Sequence, residues 1–179
     1  MQEISLNILD VAQNSVSAKA SLIEISVVED SKAHTLQVMI RDNGCGMTEE
    51  QVNSVTDPFY TTRTTRRVGL GIPFFKMASE MTGGFFEIRS KVGEGTCVTA
   101  SFRTDHIDCM PLGEIEETMY SLITMNTETD FLYTARRDET ESVTDTREFR
   151  TILEGIPFDT PEVAAFIRNY LKENSPFRN

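Results

Sequence analysis

Asp10 and Asn14 stand four residues apart in a segment whose apolar residues recur at spacings of three and four, so both project from one side of a helix. A carboxylate beside an amide offers oxygen ligands to a hard cation and can orient a water next to it. Asp42 follows an alternating apolar segment and opens Asp42-Asn43-Gly44-Cys45-Gly46. Two glycines two apart let backbone turn tightly and approach a flat ligand. A carboxylate at a strand end can accept a hydrogen bond from an exocyclic amine. Gly69-Leu70-Gly71 precedes a second helical segment, and glycine backbone opening a helix presents N–H groups and the positive dipole end to phosphate. Arg63, Arg66 and Arg67 lie just before it and could neutralise phosphate charge. Gly93-Glu94-Gly95-Thr96 joins two alternating segments, as a hairpin turn would. Taken singly, each piece has an ordinary reading as solvated helix residues, a turn or a polar loop.

The elements that must position these residues follow from periodicity. Ile4, Ile8, Val11, Ala12 and Ser15 form one stripe and predict a helix over 2–18. Alternation predicts strands at Leu22–Glu29 and Leu36–Arg41 joined by a polar hairpin loop. Thr48 with Gln51 predicts a capped short helix over Thr48–Ser54. Residues 57–69 read as a long polar loop, the kind that more often carries function than filler. A helix over Leu70–Met81 accepts Pro73 only within its first turn and ends at Gly83-Gly84. Strands at Phe85–Ser90 and Cys97–Arg103 follow. In the tail, Leu112 to Ile123 carries a helical stripe, Phe131–Arg137 and Ser142–Phe149 read as a hairpin, and Asp159-Thr160-Pro161 starts a last helix. The fold class expected is α+β, a two-layer sandwich of helices on one sheet face with a small α/β C-terminal extension.

Length and composition bound the rest. With 179 residues, 39% hydrophobic and 25% charged, the chain has the makings of one globular domain plus an extension. The net charge of −11 argues against nucleic acid as a general partner, because phosphate binding needs a basic surface. Residues 105–179 hold −9 of it, which places a boundary near Asp105: a domain over 1–104 and an acidic extension over 105–179 for packing or partner docking. Cys45, Cys97 and Cys109 have no metal-type spacing and read as reduced thiols. With no apolar run of about 20 residues and no basic-then-apolar leader, the expectation is a cytoplasmic protein that does not engage a membrane.

In their order and spacing, these pieces resemble the GHKL superfamily of gyrase, heat-shock chaperone, histidine kinase and mismatch-repair ATPases. Asp10 to Ser15 with Ala18-Lys19-Ala20-Ser21 matches the asparagine box, and Arg41 to Met47 matches the adenine box. Asp57-Pro58-Phe59-Tyr60-Thr61-Thr62-Arg63 resembles the sensor-kinase phenylalanine box. Val68-Gly69-Leu70-Gly71-Ile72 resembles the lid-closing glycine box, and Gly93 to Thr96 the last box. The resemblance implies a Bergerat-type ATP site between sheet and helices. Asp42, supported by Thr96, would bind the adenine amine, with Gly44, Gly46, Met47 and Phe59 around the nucleotide. Asn14 would bind Mg2+ bridging the phosphates, and Thr62, Arg63, Gly69, Leu70 and Gly71 would belong to the lid. Asp10 stands where hydrolysing members carry a glutamate base, one methylene longer. Ser17 stands where many sensor kinases carry lysine, with Lys19 nearby.

Neither His34 nor His106 lies in a dimerisation-helix context, and the sequence begins almost at the first box. The expectation is therefore a small member similar to the anti-sigma-factor serine kinases, with the homodimer left open. Its function would be a Mg·ATP-dependent, kinase-like regulatory ATPase passing the γ-phosphate to a protein partner or to water, with Asp10 as base. The alternative is a non-catalytic ATP/ADP-sensing module that regulates a partner through its lid and acidic tail. A degenerate interaction scaffold is the third reading.

Overall fold

The computed structural model describes residues 2–57 and 70–178. In chain order the elements are α1 (Ile4–Ser17), β1 (Leu22–Asp30), β2 (Thr35–Asp42), α2 (Glu49–Thr56), α3 (Gly71–Met81), β3 (Phe86–Lys91) and β4 (Gly95–Arg103). There follow α4 (Ile115–Met125), β5 (Asp130–Arg137), β6 (Thr140–Asp145), α5 (Thr146–Leu153) and α6 (Pro161–Glu173). The helix and strand positions read from periodicity in residues 2–103 agree with these to within a few residues. Thr48 caps α2 through a capping box with Gln51. Pro73 lies in the first turn of α3, where its missing N–H costs no helical bond.

One six-stranded sheet runs in the order β3-β4-β2-β1-β5-β6. Its neighbours are antiparallel except β1 and β5, which pair in parallel from Leu22 opposite Asp130 to Glu29 opposite Arg137. Burial alternates along the strands. Ile23, Ile25 and Val27, Leu36, Val38 and Ile40, and Phe131, Tyr133 and Ala135 enter the core. The opposite face carries the polar residues, as expected where helices cover one side of a sheet. The fold is thus the expected α+β sandwich.

The charge step at Asp105 is not a step in the sheet. After β4 the chain returns past the start of α1, where the Ile4 and Ser5 amides donate to the Pro111 and Leu112 carbonyls at 3.0 and 2.8 Å. No side chain caps α1 at Glu3, so this crossing segment satisfies amides that a helix start leaves unpaired. α4 then packs on α1 and β5 on β1. Ile115, Met119, Leu122 and Phe131 join Ile4, Ile8 and Ile23 in one hydrophobic cluster. Each such side chain contributes about 1.5–3 kcal/mol relative to exposure.

One element departs from the sequence reading. The stretch Ser142–Phe149 is not a single strand: β6 ends at Asp145 and α5 begins at Thr146. The Asp145 carboxylate caps α5 by accepting from the Arg147 amide at 3.0 Å, and Thr146 turns inward, its hydroxyl accepting from the Phe131 amide at 2.9 Å. Phe149 is therefore buried from a helix, against Tyr170 of α6 with ring centroids 5.3 Å apart. Among the described residues, no helix is long and apolar enough to cross a membrane.

Candidate functional site

α1 links two polar clusters, because consecutive residues on a helix point about 100° apart. Ser15 faces the sheet and Asn14 faces outward. Ser15, 4% exposed, donates to Asp42 Oδ2 at 2.6 Å. Asp42, 8% exposed at the end of β2, also accepts the Gly44 amide on Oδ1 at 2.9 Å and the Thr96 amide at 3.3 Å. Three donors thus hold one buried carboxylate, which is what a charge removed from water requires. Beyond it, the Thr96 hydroxyl lies 2.7 Å from the Ser90 hydroxyl, and Ser90 accepts the Met47 amide at 2.8 Å.

The glycines around Asp42 answer to the protein's own backbone. A Cβ on Gly44 would come within 2.8 Å of Ala18, at the end of α1. Gly46 has φ +69° and its Cβ would overlap the Lys91 carbonyl. Gly95 has φ +121° and its Cβ would overlap the Asp42 carbonyl. Cys45 is exposed at its side chain and pinned at its backbone, with its amide on the Ala18 carbonyl and its carbonyl on the Gly93 amide. The Asn43 side chain accepts the Ser21 and Leu22 amides on its Oδ1 at 2.9 and 3.0 Å.

The second cluster is a pocket of about 340 Å³ lined by Asp10, Gln13, Asn14, Ser17, Leu70, Gly71 and Phe74. Asp10 and Asn14 sit one turn apart on α1, and the first residues of α3 form the facing wall. Gly71 lets the two helices meet, since its Cβ would stand 2.9 Å from the Asp10 Cβ. Leu70 provides no side-chain cap to α3, so the helix start presents amides and a positive dipole end at the pocket. Among the described residues, no cluster of three or more His, Cys, Asp or Glu could hold a metal alone. Asp10 and Asn14 suit a magnesium ion that takes one or two protein oxygens and completes its shell with phosphate and water.

The structure brings Asp10, Asn14, Leu70 and Gly71 together at one pocket, and Asp42, Gly44, Gly46, Met47 and Thr96 around one carboxylate. Phe59, Thr62, Arg63 and Gly69 lie outside the described residues. Sequence reasoning missed Ser90, and it gave Ser15 a stripe position and a place in the asparagine-box match but no role at Asp42. The available signals were a hydroxyl at a core position of α1, and a serine continuing the inward alternation Phe86, Ile88, Ser90.

The family of histidine kinase-, DNA gyrase B- and HSP90-like ATPases matches residues 1–106. A putative sensor protein of Shewanella frigidimarina is 29% identical over 103 residues, covering 56% of this chain and 16% of that protein. Sporulation kinase B of Bacillus subtilis is 30% identical over 101 residues, 55% of this chain and 23% of the kinase. This chain therefore corresponds to well under half the length of these relatives. The Aquifex aeolicus MutL ATPase domain, solved with ADP, superposes with a TM-score of 0.55 at 14% identity, over 86% of this chain and 70% of that domain. That likeness concerns the fold alone, but its coverage runs past residue 106 into the segment that carries α4 and β5. With the boxes in order on α1, β2, α3 and β4, and the family match spanning more than half the residues, the chain belongs to the histidine kinase-, DNA gyrase B- and HSP90-like ATPases.

Proposed function

We propose that this chain binds Mg·ATP along α1 and acts as a kinase-like regulatory ATPase. The observation that carries the reading is the division of α1: Asp10 and Asn14 face a pocket at the α3 N-terminus, while Ser15 on the next flank grips Asp42. The adenine amine would lie against Asp42, with Thr96, Met47, Gly44 and Gly46 around the base. The phosphates would run toward Gly71 and Leu70 at the start of α3, where amides and dipole favour negative charge. Thr62, Arg63, Gly69 and Phe59 are assigned to the nucleotide by resemblance alone. Magnesium held by Asn14 would compensate phosphate charge, the main requirement of phosphoryl transfer.

In this reading, Asp10 takes the proton of an attacking water or partner hydroxyl as its oxygen bonds to the γ-phosphorus. The bond from that phosphorus to the β–γ bridging oxygen breaks, and ADP leaves with the electron pair. Sequence kinship to kinases favours a protein partner as acceptor, met through the surface near α3 or the acidic residues 105–178. The shorter Asp10 side chain favours slow turnover and keeps nucleotide sensing as the second reading. Measured γ-phosphate release from Mg·ATP should be present in the wild-type chain and fall to background in Asp10→Asn, with ATP binding retained in both. Binding without release in the wild-type chain, alone or with partner, would overturn catalysis in favour of sensing.

A further inference from the structure

The hydroxyls beside Asp42 form a chain whose direction can be counted. Ser90 Oγ lies 2.8 Å from the Met47 amide, 2.7 Å from Thr96 Oγ1 and 3.1 Å from the Gly95 carbonyl. The Met47 amide can only donate, and the Gly95 carbonyl can only accept. Ser90 has one proton. If it goes to Gly95, Ser90 accepts from both Met47 and Thr96, and all three contacts are hydrogen bonds. If it goes to Thr96, the Gly95 contact is lost. The first arrangement makes the most bonds, and it spends the Thr96 proton on Ser90. Thr96 then offers a ligand lone pairs only.

Asp42 is an acceptor as well, and its neighbours are already donors: Ser15, Gly44 and the Thr96 amide. Asp42, Thr96 and Ser90 share one row across β2, β4 and β3, since Asp42 pairs with Thr96 and Thr96 with Ser90. Two adjacent side chains of this row therefore present acceptors to whatever base edge meets them. We propose that Ser90 is a specificity-determining positioning residue: by accepting the Thr96 proton, it fixes Thr96 as an acceptor and makes the site select an amino over a keto group on the purine. This rests on the nucleotide-binding reading above. Without Ser90, the Thr96 hydroxyl is free to turn and donate, so a keto oxygen becomes acceptable.

The test compares equilibrium binding of ATP and ITP, which differ by an amino or a keto group at C6 and by the N1 proton that the keto base carries, so the Thr96→Val background separates the part read through the hydroxyl. The wild-type chain should prefer ATP by about 100-fold, because an unmatched polar group in a site built for hydrogen bonding is strongly rejected. In Ser90→Ala the preference should fall to about tenfold or less, chiefly through gained ITP affinity. Ser90→Thr, which keeps the hydroxyl, should restore the wild-type ratio. In a Thr96→Val background, Ser90→Ala should leave the ratio unaltered, because the hydroxyl it acts through is gone. A merely structural role would weaken both nucleotides alike and leave the ratio at its wild-type value in Ser90→Ala, which would overturn the proposal while sparing the nucleotide reading. Failure of the wild-type chain to bind ATP at all would overturn both.

Discussion

Asp42 and Asp10 are carboxylates in the two polar clusters that α1 links, Asp10 on the helix and Asp42 at the end of β2, and the fold treats them differently. Asp42 is 8% exposed and receives three donors from α1, the loop after β2 and β4. Asp10 is exposed, lines a pocket with Asn14, and among the described residues neither side chain makes a hydrogen bond. Folding therefore completes the first end before any ligand arrives, since a buried carboxylate without donors would be costly. Among the described residues, the second end keeps its oxygens uncommitted. In the proposed reading, the organised end would meet the base and the open end the phosphates, which suits a base that stays in place and phosphates that change.

The largest effect that would break this contrast lies at Asp42. Asp42→Ala strands the Ser15 hydroxyl and two backbone amides, and each donor left buried and unpaired costs about 1–3 kcal/mol. After partial hydration, the expected loss is about 2–4 kcal/mol in urea unfolding, with ATP affinity falling by more than about 100-fold. An unchanged unfolding midpoint would mean the carboxylate is not part of the folded frame, and the contrast would fail.

At the other end the same truncation should separate binding from folding. Asn14→Ala removes a side chain that is only partly buried and has no hydrogen bond among the described residues, so stability should stay within about 0.5 kcal/mol. ATP affinity in magnesium should fall about tenfold, while affinity in excess chelator should match the wild-type chain, because the amide would act on the metal. Nucleotide titrations with and without magnesium measure both. An equal loss in the two conditions would place Asn14 in the frame with Asp42.

Much of this frame can be read from local pattern, and what cannot be read has a physical cause. The α1 stripe, the β1–β2 hairpin and the Thr48 cap depend on neighbours within a few residues, where periodicity and capping chemistry act. The parallel pairing of β1 with β5 joins Leu22 to Asp130, and alternation tells which face a strand buries but not which strand lies beside it. Asp145 shows the same limit: the strand read over Ser142–Phe149 stops there, because the Asp145 carboxylate caps α5. At the site, Asp10, Asn14 and Asp42 announce themselves as charged or amide groups beside apolar runs. Ser15 and Ser90 do not, because a serine on a core face is compatible with simple packing. Only the contact of Ser15 with a residue 27 positions away, and of Ser90 with Met47 and Thr96, distinguishes a donor from a filler.

The smallest effect sharpens the contrast by acting away from both ends. Glu117 on α4 meets Lys172 and Arg168 of α6 at 2.7 and 3.1 Å. The Lys172 hydrogen bond, with the charges of Lys172 and Arg168, holds its carboxyl below the usual glutamate range against a smaller opposing effect of burial. A depressed carboxyl favours the folded state at pH values above its unfolded pKa, about 4.3, and that contribution disappears as pH falls through the lower folded value. The side chain is 34% exposed, so solvent screening limits the contribution to about 0.5–1 kcal/mol at pH 7. Glu117→Gln should therefore lose up to that amount at neutral pH and converge with the wild-type chain in acid, in urea unfolding followed from pH 7 to 3. ATP affinity at pH 7 should not change, because neither cluster of the site includes Glu117. A fall in affinity would mean that the α4–α6 contact reaches the nucleotide through the packing of α4 on α1. The two ends would then differ in exposure but share one mechanical support, and the Asp42 and Asn14 variants would have to be compared at matched stability.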